Sequence, residues 1–130
     1  MDRLFLDANV LFSAAYAPRS GLLKFWELPQ VLLCTSQYAL EEARANLSKE
    51  SQRDRLARLA ASLQFFDATG VALPTEVILP EKDLPILLAA IASQATHLIT
   101  GDLRHFGPYF GKKLAGIRVL PPAEYLRNLL

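Results

Sequence analysis

Apolar residues along this chain come in two textures: short, nearly unbroken runs, and longer stretches with helical spacing. Arg3–Leu6, Val31–Cys34, His97–Thr100 and Ile117–Leu120 are runs of the first kind and predict strands, the first of them of the kind that a sheet covered on both faces requires. A further strand is predicted over Asp67–Leu73, with Gly70 interrupting it. Between the strands lie helical patterns. One runs from Asn9 to Tyr16 and is ended by Pro18; a short one opens at Ser20-Gly21, continues through Trp26 and is stopped by Pro29. Ser36 is placed to N-cap a third helix with Leu40, Ala43 and Leu47 on one face. Ser51 and Asp54 resemble a capping box opening a fourth, which buries Leu56, Leu59, Ala60 and Leu63 and turns Arg53, Arg55 and Arg58 outward. Pro74–Pro80 reads as a connector around a short extended piece at Val77–Leu79. Asp83 caps a fifth helix with Pro85 in its first turn, and Ala123–Leu129 forms the last. Strands alternating with helices predict an α/β fold around a mostly parallel sheet.

Length and composition narrow this little. The 130 residues fit a single domain spanning 1–130, and 52% apolar content supplies one core. Fourteen basic residues against 13 acidic ones leave a net charge of +1, an ordinary soluble surface that neither calls for nucleic acid nor excludes it. Cys34 is the lone cysteine, so an internal disulfide and a Cys-based zinc site are excluded; its apolar setting suits a buried structural thiol. Asp7 and Asn9 break the N-terminal apolar run and no basic cluster precedes it, which argues against a signal peptide. The longest apolar stretch, Leu84–Ala92, is too short to span a bilayer. A reducing, cytoplasmic location is the expectation.

Candidate chemistry lies in the acids. Two predicted strands run into one: Leu4-Phe5-Leu6-Asp7, and Leu98-Ile99-Thr100-Gly101-Asp102. In open α/β sheets ligands gather at the carboxyl ends of strands, near the point where strand order reverses. Either acid alone reads equally well as a helix cap, but as neighbours across that point their carboxylates would face one another. Glu41-Glu42 and Asp83 lie early on helices that follow strands. Several carboxylates meeting in a cleft repel, and a hard divalent cation relieves that repulsion. Oxygen ligands suit magnesium or manganese better than zinc or copper.

These residues fall into four blocks that resemble, in order, the motifs of PIN-domain nucleases, including the VapC-type toxins of bacterial toxin–antitoxin pairs. The blocks are Leu6-Asp7-Ala8-Asn9-Val10-Leu11; Ser36 to Leu47 with Glu42-Ala43; Asp83-Leu84-Pro85-Ile86 running to Ala89-Ala90; and Thr100-Gly101-Asp102-Leu103-Arg104-His105-Phe106. Each is a weak pattern alone, while four in order along nearly the whole chain are specific. The resemblance implies a three-layer fold with a central, mostly parallel five-stranded sheet flanked by helices. It implies metal-binding and catalytic acids at Asp7, Glu42, Asp83 and Asp102, with Asn9 and Thr100 as supporting polar groups. It further implies Mg²⁺- or Mn²⁺-dependent hydrolysis of RNA by an activated water, an antitoxin protein as partner, and a homodimer. Two points depart from the usual pattern or stay open. Many relatives carry an acid where His105 stands, and Glu41 competes with Glu42, because adjacent helical residues point about 100° apart. Spacing to Ser36 and Leu47 favours Glu42.

RNA also requires positive surface beside the acids. Arg44 and Arg104 are the best-placed candidates, and His105 is a candidate for phosphate contact or proton transfer, each set against a plain solvated or packing role. His97 reads as structural, and Phe25 and Trp26 suit a buried short helix or a dimer contact better than base stacking. A catalytically silent PIN-fold binding module and a free-standing RNA-processing enzyme are the alternatives. A receiver domain fits less well, because Arg118-Val119 stand where its lysine is expected. A dehalogenase-type phosphatase would want an acid in place of Asn9, and Gly-rich phosphate loops are missing.

Overall fold

A computed structural model of the chain describes residues 1–68, 70–74 and 77–129. The elements run β1 (Asp2–Leu6), α1 (Ala8–Tyr16), a 3-10 segment (Gly21–Glu27), β2 (Val31–Thr35), α2 (Gln37–Asn46), α3 (Glu50–Ala60) and β3 (Gln64–Phe65). A 3-10 turn (Glu81–Asp83) then leads into α4 (Leu84–Ala92), followed by β4 (His97–Ile99), a 3-10 turn (Gly107–Tyr109), β5 (Lys113–Leu114), β6 (Ile117–Leu120) and α5 (Pro122–Arg127). Strand order is β3-β2-β1-β4-β6-β5, with every pairing parallel except β5 to β6. The result is the expected α/β sheet flanked by helices, with six strands rather than five.

The chain winds outward from β1 through β2 to β3, then crosses back to place β4 on the other side of β1. Order therefore reverses between β1 and β4, the two strands predicted to end in acids. Leu6 pairs with Ile99, and the Asp7 N–H donates to the Ile99 carbonyl at 3.0 Å, so both strands reach the same sheet edge together. Consecutive Leu4, Phe5 and Leu6 are fully buried, as are Leu98 and Ile99. Burial of successive residues means both sheet faces are covered, which explains the unbroken apolar runs.

Several local expectations are corrected. The segment Asp67–Leu73 contains no strand among its described residues, Thr69 lying outside them. Strand β3 comes earlier, at Gln64–Phe65 directly after α3, where it pairs with Cys34 and Thr35. In the connector at Pro74–Pro80, Ile78 is held by the Tyr109 hydroxyl, and Thr75 and Glu76 lie outside the described residues. Ser51 and Asp54 form no capping box, because α3 starts at Glu50: the Gln52 side chain accepts the N–H of Lys49, the residue that caps it. The Arg53–Arg55–Arg58 face is not simply solvated. Arg53 donates to the Leu47 carbonyl at 2.8 Å and Arg55 to that of Ala15, so two of the three tie α3 to neighbouring chain. The unforeseen β5 owes its existence to a two-residue turn in which Ala115 and Gly116 both take positive φ, 54° and 81°. Such turns match the twist of a hairpin.

Cys34 is fully buried and burial pushes its thiol pKa up, as suits a structural role. Phe25 is buried, while half-buried Trp26 donates its indole N–H to the Leu59 carbonyl at 3.0 Å. His97 packs edge-on against Tyr125 with ring centroids 5.1 Å apart. No helix among the described residues is long and apolar enough to cross a membrane.

Candidate metal centre

At the edge where β1 and β4 end, the protein opens into a cleft of about 490 Å³. Asp7, Asn9, Glu42, Asp83 and Asp102 all line it, so the four predicted acids converge from four separate stretches of chain. Glu42, and not Glu41, faces the cleft; Glu41 accepts from Gln37 at 3.1 Å and pairs with Arg44 at 3.8 Å.

Asp7 is buried, and its carboxylate is held by a tight set of donors. Oδ1 accepts the Ala8 N–H at 2.7 Å, which makes Asp7 the N-cap of α1 as well as a cleft residue. Oδ2 accepts the Thr100 hydroxyl at 2.7 Å and the Asn9 amide at 3.2 Å. Thr100 serves as a hub: while donating to Asp7, its oxygen accepts the Asp102 N–H at 3.1 Å and the Asn9 amide at 3.3 Å. One donor and two acceptor sites are all that a hydroxyl offers. The Asn9 carbonyl oxygen accepts the Gly101 N–H at 2.7 Å, so Asn9 staples α1 to the loop after β4. A Cβ at Gly101 would lie 3.3 Å from that oxygen, which explains a glycine between Thr100 and Asp102.

Burial raises the Asp7 pKa from 3.8 to about 6, against the lowering effect of the Thr100 and Ala8 hydrogen bonds and with a further rise from the charges of Glu42 and Asp83. Asp83 is raised too, chiefly by burial and then by Asp102, with His105 acting in the opposite sense. It makes no side-chain cap on α4, contrary to the role expected from its position. His105 Nδ1 lies 2.9 Å from Asp83 Oδ2 and 3.0 Å from Asp102 Oδ2. Of the two contacts only that with Asp102 has hydrogen-bond alignment, which leaves the buried Asp83 Oδ2 unsatisfied. Asp102 Oδ1 meanwhile accepts the N–H groups of Arg104 and His105 at 3.1 and 3.0 Å.

An orphaned buried carboxylate oxygen and a carboxylate pushed towards neutrality are both relieved by a cation. The donor set is rich in hard oxygen, with Asp83, Asp102 and His105 bringing ligand atoms within 4.8 Å of one another and Asp7 and Glu42 facing the same cleft. These residues fit a divalent metal ion. If so, Thr100→Val should cost about ten- to a hundredfold in Mn²⁺ affinity by calorimetry, because both Asp7 and the Asp102 backbone lose their shared hydroxyl. Unchanged affinity in a folded variant would remove Thr100 from the account.

The proposed RNA contacts fare unevenly. Arg44 and Arg104 are exposed and neither lines the cleft, whereas His105 lies against two of its acids. Residues that sequence reasoning passed over do line it: Phe12, Asn46 and Lys82. Asn46 stands one helical turn beyond Glu42, a spacing that could have flagged it. Lys82 precedes Asp83, and its carbonyl accepts the Tyr38 hydroxyl at 2.8 Å, tying the α4 approach to α2.

The fold and cleft together define a doubly wound α/β protein with an acid-lined site at its switch point. A family comparison matches residues 3–104 to the PIN domain, and the chain belongs to that family, whose members are generally nucleases. Among solved structures it is similar to a chain of VapBC2 from Rickettsia felis bound to a DNA fragment from their promoter. That match has a TM-score of 0.69 at 20% identity and covers 92% of this chain and 98% of the other. FitAcB from Neisseria gonorrhoeae matches at a TM-score of 0.53 and 18% identity, with the same coverage of 92% and 98%. No curated protein matches the chain in sequence.

Proposed function

We propose that this chain is a metal-dependent endoribonuclease, and that Asp7, Glu42, Asp83 and Asp102 hold Mg²⁺ or Mn²⁺ in its cleft. The observation that carries the reading is the convergence of four carboxylates on one cleft with a buried oxygen of Asp83 left unsatisfied. When bound, a divalent ion supplies Lewis acidity, lowering the pKa of a water and neutralising charge on the phosphate. The residues of the chain do the rest. Thr100 and Asn9 fix the orientation of Asp7, so its carboxylate enters the cleft in one rotamer. The two N–H groups on Asp102 Oδ1 leave Oδ2 turned to His105 and Asp83. Lys82, on the cleft wall, supplies positive charge for the RNA backbone, with Arg44 and Arg104 on the exposed surface as further candidates.

Water as nucleophile, in place of the ribose 2′-hydroxyl, predicts the product ends. Pure protein given Mg²⁺ or Mn²⁺ and a synthetic single-stranded RNA should yield linear phosphate and hydroxyl termini, with cleavage abolished by EDTA. Products carrying 2′,3′-cyclic phosphates, or cleavage insensitive to EDTA, would contradict the proposal.

The wider role follows from the four-block resemblance to VapC-type toxins and the likeness in fold to a VapBC2 chain. On this reading the chain is the toxin of a toxin–antitoxin pair, with a small antitoxin protein as partner, a homodimeric state and a cytoplasmic place of action.

A further inference from the structure

Two carboxylate oxygens, from the cleft-lining Asp83 and Asp102, meet one imidazole nitrogen, that of His105, and their arrangement bears on which ion the centre takes. Resting on the metal-centre reading above, we infer that His105 Nδ1 is itself a metal ligand, giving the centre a mixed nitrogen–oxygen character that favours first-row transition ions over Mg²⁺. Asp83 Oδ2 and Asp102 Oδ2 lie 2.9 and 3.0 Å from Nδ1. Ligand atoms bound about 2.1 Å from an octahedral ion stand roughly 3 Å apart along an edge, so the two N···O separations suit adjacent coordination positions, and all three ligand atoms lie within 4.8 Å of one another.

Metal-free, the three atoms are frustrated. The His105 ring nitrogen is aligned on Asp102 Oδ2, and Asp83 Oδ2 stays buried without a hydrogen bond. A cation bound among them satisfies both oxygens and the nitrogen lone pair at once, with the ring proton carried on Nε2. His105 is also held in place for this, because its own N–H donates to Asp102 Oδ1 at 3.0 Å, anchoring the residue to the acid it would share an ion with. Mg²⁺ is served best by oxygen alone, whereas affinity for imidazole rises along the first transition row from Mn²⁺. A histidine at this position therefore bears on the choice of ion.

Pulsed EPR of the Mn²⁺-loaded protein tests this through its ligand nuclei, independently of activity. The expected result is ¹⁴N coupling in the wild type, shifted by ¹⁵N-histidine labelling, lost in His105→Gln and retained in His97→Gln. Calorimetry should show His105→Gln weakening Mn²⁺ by about tenfold and Mg²⁺ by less than about threefold. Bound Mn²⁺ without nitrogen coupling in the wild type would overturn the inference and leave the metal centre standing. Failure to bind Mn²⁺ at all would overturn both. The wild-type labelling experiment decides the matter even where His105→Gln fails to fold.

Discussion

Asp7→Asn is expected to lower metal-dependent RNA cleavage on the order of a thousandfold, about 4 kcal/mol of barrier, while stabilising the metal-free protein at pH 7.5. The opposing effects share one cause. Burial holds the Asp7 pKa near 6 against an ordinary 3.8, so the folded chain binds this proton more tightly than the unfolded one. A raised carboxylate pKa contributes stability that is fully present below about pH 4 and is lost as pH rises through about 6. Above that range the ionised group costs the metal-free fold about 3 kcal/mol. Asparagine removes the charge but turns an N–H₂ towards Thr100, whose oxygen already accepts two donors. The net gain should therefore be nearer 1 kcal/mol, a rise of a few degrees in Tm. Divalent ion should reverse the ranking, since an ion at a hundred times its Kd stabilises the wild type by about 2.7 kcal/mol and has lost a ligand in the variant. Melts with EDTA and with Mn²⁺ at pH 5 and 7.5 check each part. A variant that is less stable at pH 7.5 and still gains from Mn²⁺ would refute the assignment of Asp7.

Phe106→Ala should cost about 3–5 kcal/mol in urea unfolding, the range for emptying a buried aromatic site. Phe106 is fully buried, and its N–H donates to the Asp102 carbonyl at 3.1 Å. It thus anchors the turn that carries Asp102 and His105, and metal affinity should fall along with stability. Leu103 in the same turn is 76% exposed, so Leu103→Ala should shift stability by no more than about 0.5 kcal/mol. Equal effects at the two positions would show that the turn is not held by core packing.

Much of this was legible in the residue order, for identifiable reasons. Strands β1, β2 and β4 announced themselves because strands buried on both faces must be nearly unbroken in apolar residues, and β6 showed the same texture although Arg118 interrupts it. Asp7 and Asp102 could be placed together from their strand-end positions alone, and the spacing from Ser36 picked Glu42 over Glu41. What stayed hidden depended on tertiary contact. A two-residue edge strand such as β3 has too few positions to show a period, and Phe65 is 41% exposed. The β5 hairpin turns on Ala115 taking a positive φ, which alanine does not advertise. Arg55 looked solvated because its acceptor, the Ala15 carbonyl, lies 40 residues away in sequence. His105 could be read only as a lone histidine until Asp83 arrived beside it from the turn that leads into α4.

The central claim is that the acids of the cleft hold the ion that cleaves RNA. Its most direct test follows one synthetic single-stranded RNA with wild type and Asp102→Asn prepared identically, as Mn²⁺ is titrated from zero. Cleavage by the wild type should rise from nothing to saturation with Mn²⁺, and the folded variant should stay at background across the series. Cleavage by Asp102→Asn at the wild-type rate, or wild-type cleavage that needs no metal, would contradict the account.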